Sequence, residues 1–113
     1  MLKVKLNDKE VELVKGIYIN GRLAIKIIDS NSKEALADLT VNIPHAMFYN
    51  EEINDALINH IDGYNYQELL LWLDDNNLTY EDAFVGEVKS GFNIYIGVKF
   101  RKEALNKMES FYI

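Results

Sequence analysis

Histidines, cysteines, serines and converging carboxylates are the side chains from which most active sites are built, and this chain offers few of them in a useful spacing. His45 and His60 stand fifteen residues apart, in neither an HxH nor an HExxH arrangement. A zinc site would have to recruit carboxylates from distant segments. No cysteine is present, which excludes disulfides, thiolate catalysis and cysteine-held metal clusters. The serines are Ser30, Ser32, Ser90 and Ser110, and no Gly-x-Ser-x-Gly surrounds any of them. Asp75, Asn77, Thr79 and Glu81 alternate like the first half of a calcium loop. The sixth position, however, is Tyr80 where glycine is needed for the turn, and the twelfth is Gly86 where a bidentate glutamate is needed. No pair of glycines has phosphate-loop spacing. Glu51-Glu52 and Asp74-Asp75 are sequence neighbours, which in a helix point about 100° apart and do not converge for acid–base work. The chain reads as non-enzymatic, with no cofactor and no metal. An enzyme would need a cleft holding His45 or His60 beside a carboxylate.

Carboxylates are nevertheless the chain's strongest feature. Between Lys33 and Lys89 there is no lysine or arginine, and this stretch carries twelve acids, whereas the two flanking segments are net basic. A one-signed field attracts counter-charged partners and repels nucleic acid. Segment 51–87 is therefore the expected contact for a basic protein partner. Asp74, Asp75, Glu81, Asp82 and Glu87 are the candidate partner-binding residues. Asp74 and Asp75 stand out because they close an expected helix at the end where its dipole disfavours negative charge. Direct nucleic-acid binding is disfavoured. A basic cluster of Lys3, Lys5, Lys99, Arg101 and Lys102 would form only if the first and last strands were neighbours.

The elements that must position these residues follow from periodicity and turn chemistry. At 113 residues, 49% hydrophobic and with seven tyrosines, five phenylalanines and one tryptophan, the chain fits a single domain over residues 1–113 with its own core. No apolar run approaches the roughly 20 residues that span a bilayer, and the first residues carry no signal core. A cytoplasmic location without membrane contact is expected. Leu2, Val4 and Leu6 alternate with Lys3 and Lys5, and after Asn7-Asp8-Lys9 the alternation resumes at Val11 and Leu13, a β-hairpin pattern. Asn20-Gly21 signals a type I′ turn leading to a strand with Leu23, Ile25 and Ile27 on one face. Residues 36–43 form the next strand, stopped by Pro44. The first 43 residues thus read as a meander of four antiparallel strands.

Residues 45–50 read as a loop, with Met47, Phe48 and Tyr49 packing back on the sheet. Ile53, Leu57, Ile58 and Ile61 favour a helix over 51–61, with a short strand at 56–58 as the alternative. Asn65 followed by Glu68 forms a capping box for a helix with Leu69, Leu70, Trp72 and Leu73 inward, closed by Asp74-Asp75-Asn76-Asn77. Residues 83–88 and 92–100 form strands about Lys89-Ser90-Gly91, with Phe92, Ile94, Ile96, Val98 and Phe100 on one face. Residues 101–110 form a short helix with Ala104, Leu105 and Met108 inward. The tail Phe111-Tyr112-Ile113 either docks on the core or forms a contact patch. The expected fold is α+β: an antiparallel sheet of five to seven strands with two or three helices packed against it.

Residues 2–13 (LKVKLNDKEVEL), the run from Ile17 through Asn20-Gly21 to Ile25, and Ala37-Asp38-Leu39-Thr40-Val41-Asn42-Ile43-Pro44 resemble a small domain family of unassigned function. That family is encoded by conjugative elements and phages of Gram-positive bacteria. Ser90-Gly91-Phe92 and Asn77-Leu78 are similar to its C-terminal half, while residues 45–63 and those after Phe100 depart from it. The resemblance implies an accessory protein of a mobile element, whose basic partner would be a host defence or nucleic-acid-binding protein, and carries over no catalytic residue. The alternative to a partner-binding role is a self-associating structural or assembly protein. In that reading the apolar tail, Tyr18, Tyr95 and Tyr112 on the surface and the long final strand build a homodimer edge.

Overall fold

The computed structural model describes residues 1–45 and 52–111. Strands β1 (Leu2–Leu6) and β2 (Lys9–Ile17) pair antiparallel in the expected register, Val4 opposite Val11. Their turn is made by Asn7 and Asp8 at φ 52° and 63°, the left-handed pair that a type I′ turn requires. Asn20-Gly21, expected to hold that geometry, does not. Only Gly21 has a positive φ, 88°, in a turn where the Tyr18 amide donates to the Arg22 carbonyl at 2.8 Å. The Asn20 side-chain amide donates instead to Asn42 Oδ1 at 3.1 Å, tying the turn to the chain after the meander.

Strand β3 (Leu23–Asp29) buries Leu23, Ile25 and Ile27 as expected. The single strand expected over 36–43 is two, β4 (Ala35–Asp38) on β3 and β5 (Thr40–Val41) in a second sheet. Leu39 is the crossing point. Its amide donates to Ile25 in the first sheet, its carbonyl accepts from the Asn59 amide beside the second, both at 2.9 Å, and its side chain is fully buried.

Strand β6 (Asp55–Ile58) occupies the segment where a helix over 51–61 was favoured, so the short-strand alternative is the observed one. It lies between β5 and β8 (Asn93–Phe100), with all four residues buried. A strand covered on both faces shows no alternation, so its periodicity does not distinguish it from a helix. Asp55 fits there because Lys99 Nζ and the Glu52 amide each donate to its carboxylate at 2.8 Å. Burial works against the Lys99 charge, but Asp55 and Glu52 outweigh it and hold its pKa above the usual lysine value.

Helix α1 (Tyr66–Asp75) starts at Asn65 with the full capping box: the Glu68 amide donates to Asn65 Oδ1 at 2.8 Å and the Asn65 amide to Glu68 Oε1 at 3.0 Å. Leu69, Trp72 and Leu73 face the core, and Trp72 Nε1 donates to the Lys5 carbonyl at 2.7 Å. Strand β7 (Thr79–Ser90) follows, then the turn and β8, helix α2 (Lys102–Lys107) and strand β9 (Glu109–Ser110), which runs parallel beside β2. The expected helix over 101–110 therefore ends early. Phe111 docks, its amide donating to the Lys15 carbonyl at 2.8 Å and its ring lying against Gly16, while Tyr112 and Ile113 lie outside the described residues. So does the expected packing of Met47, Phe48 and Tyr49.

The fold is thus α+β and mostly antiparallel, with nine strands and two helices among the described residues. The strand count exceeds the five to seven expected, and the strands form two sheets, β1-β2-β3-β4 with β9 attached, and β5-β6-β8-β7. One buried cluster joins both sheets and both helices, with Leu13, Ile27, Leu39, Ile58, Leu73, Leu78 and Phe100 at its centre. The surface-strand expectations change accordingly. β8 lies inside its sheet between β6 and β7, so it offers no free edge. Tyr18 is half-buried, its hydroxyl 3.0 Å from Thr40 Oγ1, and Tyr95 is half-buried against His60. Phe92 is not on the strand face but in the turn, fully exposed, and Ile94 beside it is exposed as well. No helix among the described residues is long and apolar enough to cross a membrane.

Candidate functional site: an acid-rimmed apolar groove

The two aspartates at the end of α1 sit at a helix end that a tight turn closes. Asn77 takes φ 56°, and the Leu78 amide donates to the Leu73 carbonyl at 2.9 Å while the Asn77 amide donates to Asp74. This is a Schellman closure with asparagine in the left-handed place usually taken by glycine. Asn76 Nδ2 adds a bond to the Trp72 carbonyl at 2.9 Å. The Trp72, Leu73 and Asp74 carbonyls are satisfied, so the helix tolerates Asp74 and Asp75 although no basic residue in its last turn offsets its dipole.

Leu78 leads directly into β7, which is pinned by Arg101. The Arg101 amide donates to the Leu78 carbonyl at 2.8 Å, its Nε to the Thr79 carbonyl at 2.8 Å, and its guanidinium lies 5.2 Å from the Tyr80 ring centre. Pairing with β8 then slips. Thr79 faces Phe100 but Phe84 faces Val98, so residues between them bulge from the ladder and carry Glu81 and Asp82 outward. Bulges of this kind re-aim side chains and interrupt an edge strand.

Between α1 and this bulge lies a groove of about 320 Å³. Leu70, Ala83, Ile96 and Val98 line its base. Leu71 and Phe84 line it too, and they remain 57% and 64% exposed. Asp74 and Glu81 are its only charged lining residues among the described residues. Of the five residues singled out from the sequence, the fold brings these two together. Asp75 and Asp82 are exposed beside the groove without lining it. Glu87 lies further along β7, exposed, with its backbone opposite Ile96. The sequence reading missed Leu71 and Phe84. Leu71 was legible as the one leucine of the 69–73 run outside the inward stripe.

The other candidates are not assembled. Asp75 ends a helix, Asn77 closes it and Thr79 is buried in a strand, so no calcium loop exists there. No group of three histidine or acidic residues able to hold a metal ion occurs among the described residues. His45 is exposed. His60 and Asp62 share a shallow depression, but the imidazole packs on Tyr66 and Tyr95 at 4.7 and 5.1 Å, and neither hydrogen bond nor ion pair joins it to Asp62. Strands β1 and β8 lie in different sheets and Lys99 is held by Asp55 and Glu52, so the conditional basic cluster does not form. No family model, curated protein or solved structure matches the chain.

Proposed function

We propose that this chain is a non-enzymatic accessory protein of a mobile element that binds a basic protein partner through its acidic segment 51–87, acting in the cytoplasm. The contact is the groove between α1 and β7, and its occupant is an amphipathic segment of the partner with apolar side chains on one face and lysines or arginines around them. One observation carries this reading. Two large apolar side chains, Leu71 and Phe84, stand exposed over an apolar base, and the only charges lining that groove among the described residues are carboxylates. Exposed apolar patches rimmed by polar groups mark interaction sites, and a one-signed rim selects partners of the opposite sign while speeding encounter. The mobile-element setting is supported by the resemblance of the N-terminal strands and turns to the family encoded by such elements.

The test uses a synthetic helix-forming peptide with leucines at i, i+3 and i+4 spacing and lysines elsewhere, titrated calorimetrically at low and moderate salt. One-to-one binding that weakens with salt and is lost in Leu71→Ser/Phe84→Ser supports the reading. Binding that survives this double substitution sinks it. If the chain instead sediments as a dimer that the same double substitution splits, Leu71 and Phe84 serve self-association and the alternative reading replaces it.

A further inference from the structure

A second depression, sharing no residue with the groove, has the opposite charge. Along β2 the side chains alternate, so Val11, Leu13, Lys15 and Ile17 follow one another on the side that faces the core. Val11 and Leu13 are buried, and at Lys15 the sheet reaches the edge of the packed interior. Lys15 stands opposite Ile25 and Ile17 opposite Leu23 in the ladder with β3, both partners being core residues. A lysine in an inward register position breaks the local pattern, and such breaks concentrate at functional positions. Lys15 forms no ion pair among the described residues, and neither does Lys102 at the start of α2.

These two lysines line a cavity of about 390 Å³ with Ile17, Leu23, Ile53 and Leu105. Ile17 and Ile53 are 63% and 81% exposed, and no acidic residue lines the space among the described residues. Its volume falls in the range of about 300–1,000 Å³ common for small-molecule sites, which pair an apolar wall with a few orienting polar groups. We propose that this cavity binds an amphipathic carboxylate of fatty-acid type. The hydrocarbon chain replaces water against Ile17, Leu23, Ile53 and Leu105, and the anionic head is held by Lys15 and Lys102. The head supplies the counter-charge that no described residue gives these ammonium groups, and the tail covers the exposed isoleucines.

Dodecanoate below its micelle concentration is the probe, titrated calorimetrically into the full chain. Saturable one-to-one binding is expected. Each buried methylene strengthens association about fourfold, so dodecanoate, with two more, binds roughly 15-fold tighter than decanoate. Lys15→Met/Lys102→Met weakens binding about tenfold, as loss of charge-assisted contacts does. Ile53→Asp, a change at an exposed position that leaves the fold intact by circular dichroism, abolishes binding by placing a carboxylate against the hydrocarbon tail and adding negative charge to the cavity. Leu71→Ser/Phe84→Ser leaves it unchanged. Equal binding of dodecyltrimethylammonium, an unchanged affinity in the double lysine variant, or loss of binding in the groove variant would each overturn the assignment.

Discussion

Lys33 Nζ meets Glu12 Oε1 at 2.5 Å, and the Glu12 side chain is 1% exposed while that of Lys33 is 49% exposed. Lys33 reaches it from the turn after β3, where it adopts φ 65° and its amide donates to the Asp29 carbonyl. The other Glu12 oxygen is buried with no hydrogen-bond partner among the described residues. A buried carboxylate thus rests on one partner. Removing one member of such a pair costs more than replacing both, because it strands a charge away from water. Lys33→Met is expected to lower the melting temperature more than Glu12→Leu/Lys33→Met does. Thermal unfolding at pH 7, followed by circular dichroism, gives the comparison, and a double variant at least as unstable as Lys33→Met would show that the ammonium contributes nothing to holding Glu12.

Asn77 carries the helix end that delivers Asp74 to the groove. A non-glycine residue in the left-handed region costs roughly 1–2 kcal/mol, less for asparagine. Asn77→Ala is expected to destabilise the protein by about 1 kcal/mol, while Asn77→Gly stays within about 0.5 kcal/mol of the parent. Urea unfolding midpoints measure both. If alanine and glycine behave alike, the left-handed turn is not what closes α1.

How much of this was legible in the sequence depends on where the information lies. The capping box at Asn65 and Glu68 and the hairpin of Val4 and Val11 are local, and both were read correctly. Strand β6 was not, because Ala56, Leu57 and Ile58 are covered on both sides and their pattern fits helix and strand alike. The sheet switch at Leu39 was invisible too. The alternation runs unbroken through it, and only the pairing of its amide and carbonyl with different sheets divides the strand. For the groove, the charge pattern points to Asp74, Asp75, Glu81, Asp82 and Glu87, of which only Asp74 and Glu81 line it. Their meeting depends on the bulge after Thr79, a feature of cross-strand register that no single segment encodes.

The alkaline limb of stability follows from four groups shifted the same way. Burial raises the pKa of Tyr66 from 10.0 to about 12 and also raises that of Tyr18. The Glu12 carboxylate raises that of Lys33, and Asp55 with Glu52 raises that of Lys99 against its burial. Each group binds its proton more tightly folded than unfolded, so its contribution is complete below the unfolded value and is lost as pH rises through the folded one. Stability is expected to fall between about pH 10 and 12. Ultraviolet titration at alkaline pH should find one tyrosine ionising near 12 that disappears in Tyr66→Phe. On the acid side Asp29 works in the opposite sense. Lys9 and the Ser32 and Asn31 amides hold its pKa below the usual carboxylate value, so its contribution is lost only as pH falls below that value.

Charge reversal separates the groove from the general acidity of segment 51–87. Asp74 and Glu81 line it, whereas Asp75 and Asp82 lie beside it without doing so. At 0.15 M salt, charges more than about 8 Å apart are largely screened. Asp74→Lys/Glu81→Lys is therefore expected to weaken the basic amphipathic peptide by roughly 10–100-fold, as truncating close charge pairs at interfaces does. Asp75→Lys/Asp82→Lys should cost only about threefold under the same conditions. Equal losses from the two pairs would mean that the peptide responds to the overall field and that the groove has no special part. Stability supplies a second readout of opposite sign. Asp74 opposes the α1 dipole with no basic residue in the last turn, so Asp74→Lys alone should stabilise the chain by about 0.3–1 kcal/mol. A substitution that strengthens the fold while weakening binding indicates that the aspartate is kept for the partner, since the helix is better off without it. If Asp74→Lys lowers both, the residue is structural and the binding loss is secondary.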